Sequence, residues 1–273
     1  MLLSLDSGVS ALEQFQQQLN VISNNIANVN TVGFKSADVN FADTLSQTLG
    51  SNAAGSMQVG TGVMTSGIMN DFSAGALSST GVQSDMAISG NGFFLVKDPT
   101  SGNSYVTQDG AFTVDNSGYL VTSSGMRVQG YTDSGLTTVG DIQINNTGAP
   151  NSDTAAMQNY TVGSDGKISV LLADGTQFTR GQVLLQNLSN PGQLVKVGGN
   201  LYSGLTAAGA LAAPVAPNSS GLGGIVSGSL EMSNVDLAQQ LTSLISVQSA
   251  YQANSKVITT SDNVLQTLVN LVR

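Results

Sequence analysis

The 273-residue sequence contains no cysteine, no histidine and no tryptophan. Without cysteine the chain can form neither a disulfide nor a thiolate nucleophile. Without histidine it has no imidazole to serve as a general base or a metal ligand. These absences exclude enzymes and metal sites that depend on either residue, and the lack of cysteine is compatible with an exported protein.

Charge is also scarce, at 9% of residues with a net charge of −9. The eight basic residues are scattered singly, so no patch could follow a phosphate backbone, and nucleic acid is not expected as a partner. No apolar run reaches the ~18 residues that a membrane-spanning helix needs. The start of the chain lacks a basic region, so we expect no cleaved signal peptide, and an exported chain would leave the cytoplasm by another route.

Two long spans near the ends of the chain lack glycine. None of the 32 glycines lies between Val9 and Val32, and none follows Gly228. Because glycine favours turns over helices, this distribution predicts helical ends around a turn-rich middle.

The N-terminal segment predicts an amphipathic helix that fails near Asn28–Gly33. Apolar residues recur at steps of four and three, which is the spacing of a coiled-coil seam. The predicted seam residues are Leu5, Val9, Leu12, Leu19 and Ile26. The polar face carries amides and hydroxyls with few ions, which favours a helix packed on several sides in an assembly.

The C-terminal segment, 233–273, predicts a longer helix with two apolar stripes. Ser233 or Asn234 is the expected N-cap, with Asp236 in the first turn. The predicted seam consists of Leu237, Leu241, Leu244, Tyr251, Ile258, Leu265 and Val269. The second flank consists of Ile245, Val247, Val257, Val264, Leu268 and Leu271. We expect the seam to pair with the N-terminal helix and the second flank to contact other subunits.

The middle of the chain predicts short antiparallel strands separated by Gly, Asn and Asp turns. The candidate strands are 63–69, 87–89, 93–96, 104–107, 112–114, 119–122 and 126–131. Phe93, Phe94, Phe112 and Tyr119 are the expected core aromatics, and 38–50 is a candidate short helix. The predicted fold class is α+β, with paired long terminal helices and an all-β barrel or sandwich between them. The predicted domains are a helical assembly domain (1–35 and 230–273), a linker or extended segment (36–84) and a β-rich domain (85–229).

Candidate catalytic patterns do not hold together. Ser164 and Lys167 have Ser-x-x-Lys spacing, but they fall on a predicted hairpin turn where the motif needs a helix. Gly90 and Gly92 lack the third glycine of a dinucleotide-binding loop. We therefore predict no catalytic, cofactor-binding or metal-binding residues and no cofactor.

The most specific motif is SNNIANVNTVGFK, residues 23–35. It resembles the N-terminal signature of the flagellar axial proteins, the rod and hook family. The blocks DMAISGNGFFLV (85–96) and QSAYQAN (248–254) continue the resemblance, which covers most of the chain. The signature residues carried over are Asn25, Asn28, Thr31, Gly33, Phe34, Lys35, Asn234 and Asp236. Where the family usually has arginine this chain has Gln108 and Ser249, and the first replacement puts a surface ion pair in doubt.

The resemblance implies a structural, non-enzymatic subunit that polymerises into a helical homopolymer. The ending LQTLVNLVR is closer to the hook than to the distal rod, which implies a short hook-type subunit without an outer inserted domain, part of a tubular universal joint that transmits torque. The alternative within the family is the distal rod protein. The implied partners are neighbouring rod, hook-cap and hook–filament junction proteins and the flagellar type III export apparatus. The implied location is the hook or basal body of the flagellum, outside the cell after export.

Two alternatives lie outside this family. A secreted β-rich adhesin would account for the Gly/Ser/Thr-rich middle but not for the paired helices. Truncation of residues 1–35 separates them, because an adhesin would keep its binding and an axial protein would lose polymerisation. A hydrolase would require an activity that disappears in Ser164→Ala.

Overall fold

The computed structural model describes residues 2–52, 55–146, 149, 155–211 and 213–271. Within these ranges the chain forms two α-helices, α1 (Leu2–Ala27) and α2 (Leu237–Leu271), with antiparallel strands between them. The predicted α+β class with a helix at each end is confirmed. The last two residues of the predicted C-terminal helix, Val272 and Arg273, lie outside the described residues.

The described strands of the N-terminal half are β1 (Ala37–Asp43), β2 (Gln47–Asn52), β3 (Gly55–Val59), β4 (Val63–Asn70), β5 (Leu77–Ser79), β6 (Met86–Ser89), β7 (Phe93–Lys97), β8 (Ser104–Thr107), β9 (Phe112–Val114), β10 (Leu120–Thr122), β11 (Arg127–Tyr131) and β12 (Val139–Asp141). Those of the C-terminal half are β13 (Met157–Val162), β14 (Lys167–Leu172), β15 (Gln177–Val183), β16 (Leu185–Gln186), β17 (Val195–Gly198), β18 (Leu201–Ser203), β19 (Gly224–Ser227) and β20 (Ser229–Glu231).

The chain divides into two compact units. The helical unit comprises Met1–Val29, Ser36–Asp71 and Val235–Arg273, and the sheet unit comprises Asn30–Lys35 and Phe72–Asn234. The predicted three-part domain division stays a prediction. A short signature segment, residues 30–35, thus belongs to the sheet unit although its neighbours on both sides belong to the helical unit.

In the helical unit, α1 and α2 run antiparallel. Gly8, in the second turn of α1, lies against Ile258, whereas Asn25, in its last turn, reaches Gln240. Moving forward along α1 therefore means moving back along α2. The β1–β4 ribbon lies beside α1, where the Thr65 hydroxyl donates to Gln17 Oε1 at 2.9 Å.

The candidate short helix at 38–50 is wrong, because β1 and β2 occupy this stretch. Ala37 pairs with Asn70 and Asp43 with Val63, so β1 satisfies its backbone groups on β4, some twenty residues further along the chain. Short-range helical spacing carries no information about that pairing, and the ladder overrides it.

The sheet unit contains a 12-stranded sheet, most of whose strands follow the order β13-β14-β15-β11-β7-β8-β18-β17. Its main core is apolar and fully buried around Phe94, Phe112, Val128 and Ile168. The rings of Phe94 and Phe112 meet edge to face, with centroids 5.0 Å apart. The predicted core aromatics Phe93, Phe94 and Phe112 are buried, and Tyr119 is half-buried.

The barrel part of the fold prediction is wrong, because no sheet closes within the described residues. A barrel requires its first and last strands to pair. Here the path ends at β13 on one side and at β17 on the other. Every residue of β17 is exposed, including Val195 and Val197, so this strand forms an open edge.

Candidate assembly interface

The signature segment is fixed by Gly33. This residue has a φ of +65°, and its N–H donates to the Glu231 carbonyl at 2.8 Å. A Cβ at this position would lie 2.7 Å from the Asp109 nitrogen. Both the left-handed backbone and the close approach require glycine.

Lys35 forms a buried ion pair at the end of the segment. Its Nζ lies 2.7 Å from Glu231 Oε1, with side chains 0% and 2% exposed. Nζ also donates to the Ser73 carbonyl at 2.8 Å, and the Gly75 N–H donates to the same Glu231 oxygen at 2.7 Å. These bonds offset the cost of removing both charges from water and tie together three stretches of the sheet unit.

Phe34 and Val32 are held from one hairpin of the sheet. The Lys196 ammonium lies 4.7 Å from the centre of the buried Phe34 ring and donates to the Lys35 carbonyl at 3.0 Å. Burial of this group lowers the pKa of Lys196. Asn200 Nδ2 donates to the Val32 carbonyl at 2.6 Å. All of the anchors named for the segment thus come from the sheet unit.

Asn25 has a matching role in the helical unit. Its amide is fully buried, donates to the Ala37 carbonyl at 2.9 Å and accepts the Ala37 N–H at 3.1 Å. It also donates to Gln240 Oε1 at 3.3 Å. One side chain therefore fixes α1, β1 and α2 in a single register, a known use of buried polar groups between helices.

The remaining signature residues lie at chain turns. Asn28 Nδ2 donates to the Asn24 carbonyl at 2.9 Å, and the Thr31 carbonyl accepts the Phe34 N–H at 3.3 Å. Asn234 Nδ2 donates to Ser73 Oγ at 3.1 Å.

The N-cap prediction for α2 is wrong by two residues or more. Asp236 Oδ1 accepts the N–H groups of Ala238 and Gln239 at 2.8 and 3.2 Å, so Asp236 itself is the N-cap. The Asn234 side chain is engaged with Ser73 instead. A carboxylate at this place also complements the helix dipole.

The predicted seam residues fall into two groups in the single chain. On α1, Leu5, Leu12, Leu19 and Ile26 are half-buried and Val9 is 38% exposed. On α2, Leu244, Ile258 and Leu265 are half-buried, whereas Leu237, Leu241, Tyr251 and Val269 are exposed. The buried residue of α2 is Val247. Their role in contacts between subunits stays a prediction.

Five exposed apolar residues of α2 lie on either side of the row that faces α1. At 3.6 residues per turn, Gln240, Leu244, Val247, Ile258 and Leu265 share one face. Leu237 and Leu241 lie to one side of this row, and Val257, Val264 and Leu268 to the other. The last five are 44–48% exposed, so α2 presents two further apolar flanks.

Two buried residues were missed by sequence reasoning. No local pattern marked Glu231, whose burial depends on its distant partner Lys35. Gln108 was assigned to the surface, which is wrong, because it is 4% exposed. The available signal in the sequence was its position directly before the Asp109–Gly110 turn. In the structure this turn is packed closely, with Gly110 against the Met86 carbonyl.

Nothing in the described ranges assembles a reactive centre. No three acidic side chains converge there to hold a metal ion, and no described helix is long and apolar enough to cross a membrane. Lys167 is paired with Asp165 at 3.0 Å, both half-exposed on a hairpin turn, and the neighbouring Ser164 carbonyl accepts the Ile225 N–H. The described residues instead form two packed helices, and one of them, α2, carries exposed apolar flanks.

Comparisons with known proteins point to a structural protein that assembles. Residues 5–35 match the family described as "Flagella basal body rod protein". Residues 87–170 match "Flagellar hook protein FlgE/F/G D1 domain", and residues 226–271 match "Flagellar basal body rod FlgEFG protein C-terminal". The three matches cover most of α1, the signature segment, half of the sheet unit and α2.

The chain is similar to a flagellar basal-body rod protein FlgG of Bacillus subtilis, with 42% identity over 100% of both chains. A protein of the same name from Buchnera aphidicola subsp. Schizaphis graminum is 38% identical over 99% of this chain and 100% of its own length. A flagellar hook protein FlgE of Treponema pallidum is 44% identical, but over 48% of this chain and 30% of its own length. The chain therefore belongs to the flagellar rod and hook protein family, the structural proteins of the basal body and hook of the bacterial flagellum.

Proposed function

We propose that the chain is the distal rod subunit of the flagellar basal body. The rod proteins match it over their whole length, whereas the hook protein matches less than a third of its own. These comparisons favour the rod alternative over the hook interpretation, which depended on the last nine residues. Membership of a structural flagellar family gives no support to the adhesin and hydrolase alternatives.

The observation that carries the proposal is the pair of apolar flanks on α2. One helix cannot bury both flanks against α1, because they lie on opposite sides of the row that faces it. Each apolar square ångström removed from water contributes about 25 cal/mol, so neighbouring helices that cover Leu241 and Val264 stabilise an assembly. Different patches on the two sides give head-to-tail contacts, which grow into a helical tube when they do not close.

The amide-rich surface of α1 supports the same proposal. Its long polar residues are four glutamines, Gln14, Gln16, Gln17 and Gln18, and a single glutamate, Glu13, with no lysine or arginine. Amides can pair with one another inside a packed bundle, whereas unpaired charges are costly to desolvate there. Neighbouring rod and hook-side proteins as further partners, and passage through the flagellar type III export apparatus, are proposed from family membership.

Electron microscopy of basal bodies from an in-frame deletion strain tests this function. A rod subunit predicts that the axial structure stops within the rod and that a plasmid copy of this chain restores it. A complete rod that ends without a hook would overturn the proposal in favour of the hook interpretation. A strain with intact flagella would remove the chain from the axial structure altogether.

A further inference from the structure

The loop between β6 and β7 contains the single Asn-Gly pair of the sequence, Asn91–Gly92. In such a pair the main-chain nitrogen of the glycine can attack the side-chain carbon of the asparagine. Glycine hinders this approach least, because it has no Cβ and adopts most backbone angles. Asparagine is accordingly among the thermolabile residues.

Both reacting groups are free of hydrogen bonds to the described part of the chain. Asn91 is exposed, and neither its side-chain amide nor the Gly92 N–H pairs with any described group. The Asn91 carbonyl, by contrast, accepts the Gly223 N–H at 2.8 Å. The reacting atoms thus have no hydrogen bond to break before they react, although the main chain of the loop is anchored.

Other asparagines are restrained at the same atoms. The nitrogen that follows Asn116 is bound to Asp115 Oδ1 at 2.8 Å. Asn218 Nδ2 donates to the Ser164 carbonyl at 3.0 Å, and Asn159 Oδ1 already accepts the next N–H at 2.8 Å. The fold therefore distinguishes Asn91 from these sites beyond the difference in sequence.

The loop borders a cavity, with Asn91 exposed and Gly92 buried beside it. Asn91 and Gly92 line a cavity of about 240 Å³ together with Gln108 and Asn187. Gly92 has a φ of +137°, an angle that side-chain-bearing residues rarely adopt. The cavity admits the water that the second step of the reaction consumes.

We propose that Asn91 is a site of spontaneous deamidation in the folded protein. The deprotonated Gly92 nitrogen attacks Asn91 Cγ, a C–N bond forms, and the side-chain nitrogen leaves as ammonia after taking up a proton. Water then opens the resulting succinimide at either carbonyl, which gives aspartate or isoaspartate at position 91. No oxidant, metal or enzyme takes part.

The product alters the anchoring of the loop. Isoaspartate adds one carbon to the main chain between the Gly223 contact and the Gly92 carbonyl, which accepts Gln108 Nε2 at 3.1 Å. Gln108 Oε1 has no partner in the described part of the chain, so this buried amide has little to hold it once that bond is lost. We expect faster amide exchange at Gly223 in the modified protein.

Peptide mapping by mass spectrometry of folded protein aged at mildly alkaline pH tests the proposal. The peptide containing Asn91 should gain the mass of amide-to-acid conversion, with an isoaspartyl fraction, faster than those containing Asn116 and Asn218. Asn91→Gln should abolish the signal in that peptide, and a higher pH should accelerate it. An unmodified Asn91 in folded protein, with conversion only in urea, would show that the fold protects the site and would overturn the proposal.

Discussion

At the scale of single residues, one buried ion pair between the signature segment and β20 stabilises the sheet unit. Lys35 and Glu231 are 196 positions apart in sequence, yet in the interior the charge of each is neutralised by the other. Removing one partner leaves the other as an unpaired buried charge, which typically lowers the free energy of unfolding by about 3–5 kcal/mol. Removing both avoids that penalty but leaves the Ser73 carbonyl and the Gly75 N–H to find new partners.

We therefore expect Lys35→Met and Glu231→Met each to lower the free energy of unfolding by about 3 kcal/mol or more, and the double variant to lose less than their sum. Urea unfolding of the parent, the two single variants and the double variant gives the coupling energy between Lys35 and Glu231. Lys167→Met is the matched control, because its pair with Asp165 is half-exposed and worth about 0–1 kcal/mol. Additive losses, or an equal loss in the control, would contradict the argument.

Asp109 makes stability depend on pH. Burial raises the pKa of its carboxyl, opposed by the hydrogen bond from the Ala111 N–H and reinforced by the charge of Asp85. The folded state therefore binds the proton more tightly than the unfolded state. Its stabilising contribution is complete below the unfolded pKa and is lost as pH rises through the folded one.

Asp109→Asn should remove this dependence while its side-chain oxygen still accepts the Ala111 N–H, 3.0 Å away in the parent protein. The variant should gain stability over the parent at neutral pH, and the gain should shrink as the pH falls toward about 4, the ordinary range of an aspartate. Urea unfolding of both proteins across that range measures the difference. A difference that does not change with pH would show that the carboxyl is not desolvated.

At the scale of elements, local patterns predicted the helices and long-range pairing decided the rest. Glycine-free spans and steps of three and four placed α1 and α2 within a few residues of their observed bounds. β1 was missed because its partner lies in β4. The cap of α2 was misplaced because Ser233, Asn234 and Asp236 can all cap a helix, and the contact of Asn234 with Ser73 decides among them.

The candidate site shows the same division. The motif at 23–35 located the signature segment, since its residue types suit a turn and an anchor. The burial of Glu231 and Asn25 depends on Lys35, Ala37 and Gln240, which are distant in sequence or on another element. No local sequence pattern shows which distant residues will become partners. The pattern predicted two apolar stripes on α2, but it placed Leu237 and Leu241 on the stripe covered by α1 and Val247 on the other. The structure exposes the first two and buries Val247.

The antiparallel register of α1 and α2 can be tested with one disulfide, because the chain has no cysteine of its own. A Cβ at Gly8 would lie 3.2 Å from Ile258 Cγ1, so Gly8→Cys with Ile258→Cys should oxidise to a link within one chain. Gly8→Cys with Ala250→Cys is the control, since eight residues along a helix span about 12 Å, beyond the ~7 Å that a disulfide bridges. Non-reducing electrophoresis and peptide mapping measure how much of each variant forms the disulfide. Equal disulfide formation in both pairs would contradict the register.

At the scale of the whole molecule, assembly and folding depend on different faces of α2. Leu244 is half-buried on the row that faces α1, so Leu244→Asp should destabilise the helical unit in the single chain and block assembly as a consequence. Val264 is 48% exposed on one flank. A charge there costs the single chain little, typically within ±0.5 kcal/mol, but it would have to be buried against a neighbouring helix.

Val264→Asp should therefore leave the circular dichroism and urea unfolding of the purified chain unchanged while abolishing motility and rod assembly in the deletion strain. Asn263→Asp adds the same charge at the adjacent residue, and 100° of helical rotation separates the two positions. Because Asn263 is exposed outside the flank, its variant should swim. Motility assays and electron microscopy of basal bodies measure both. Normal rods from Val264→Asp would show that this flank stays in solvent, and loss of assembly in both variants would show that added charge alone blocks it.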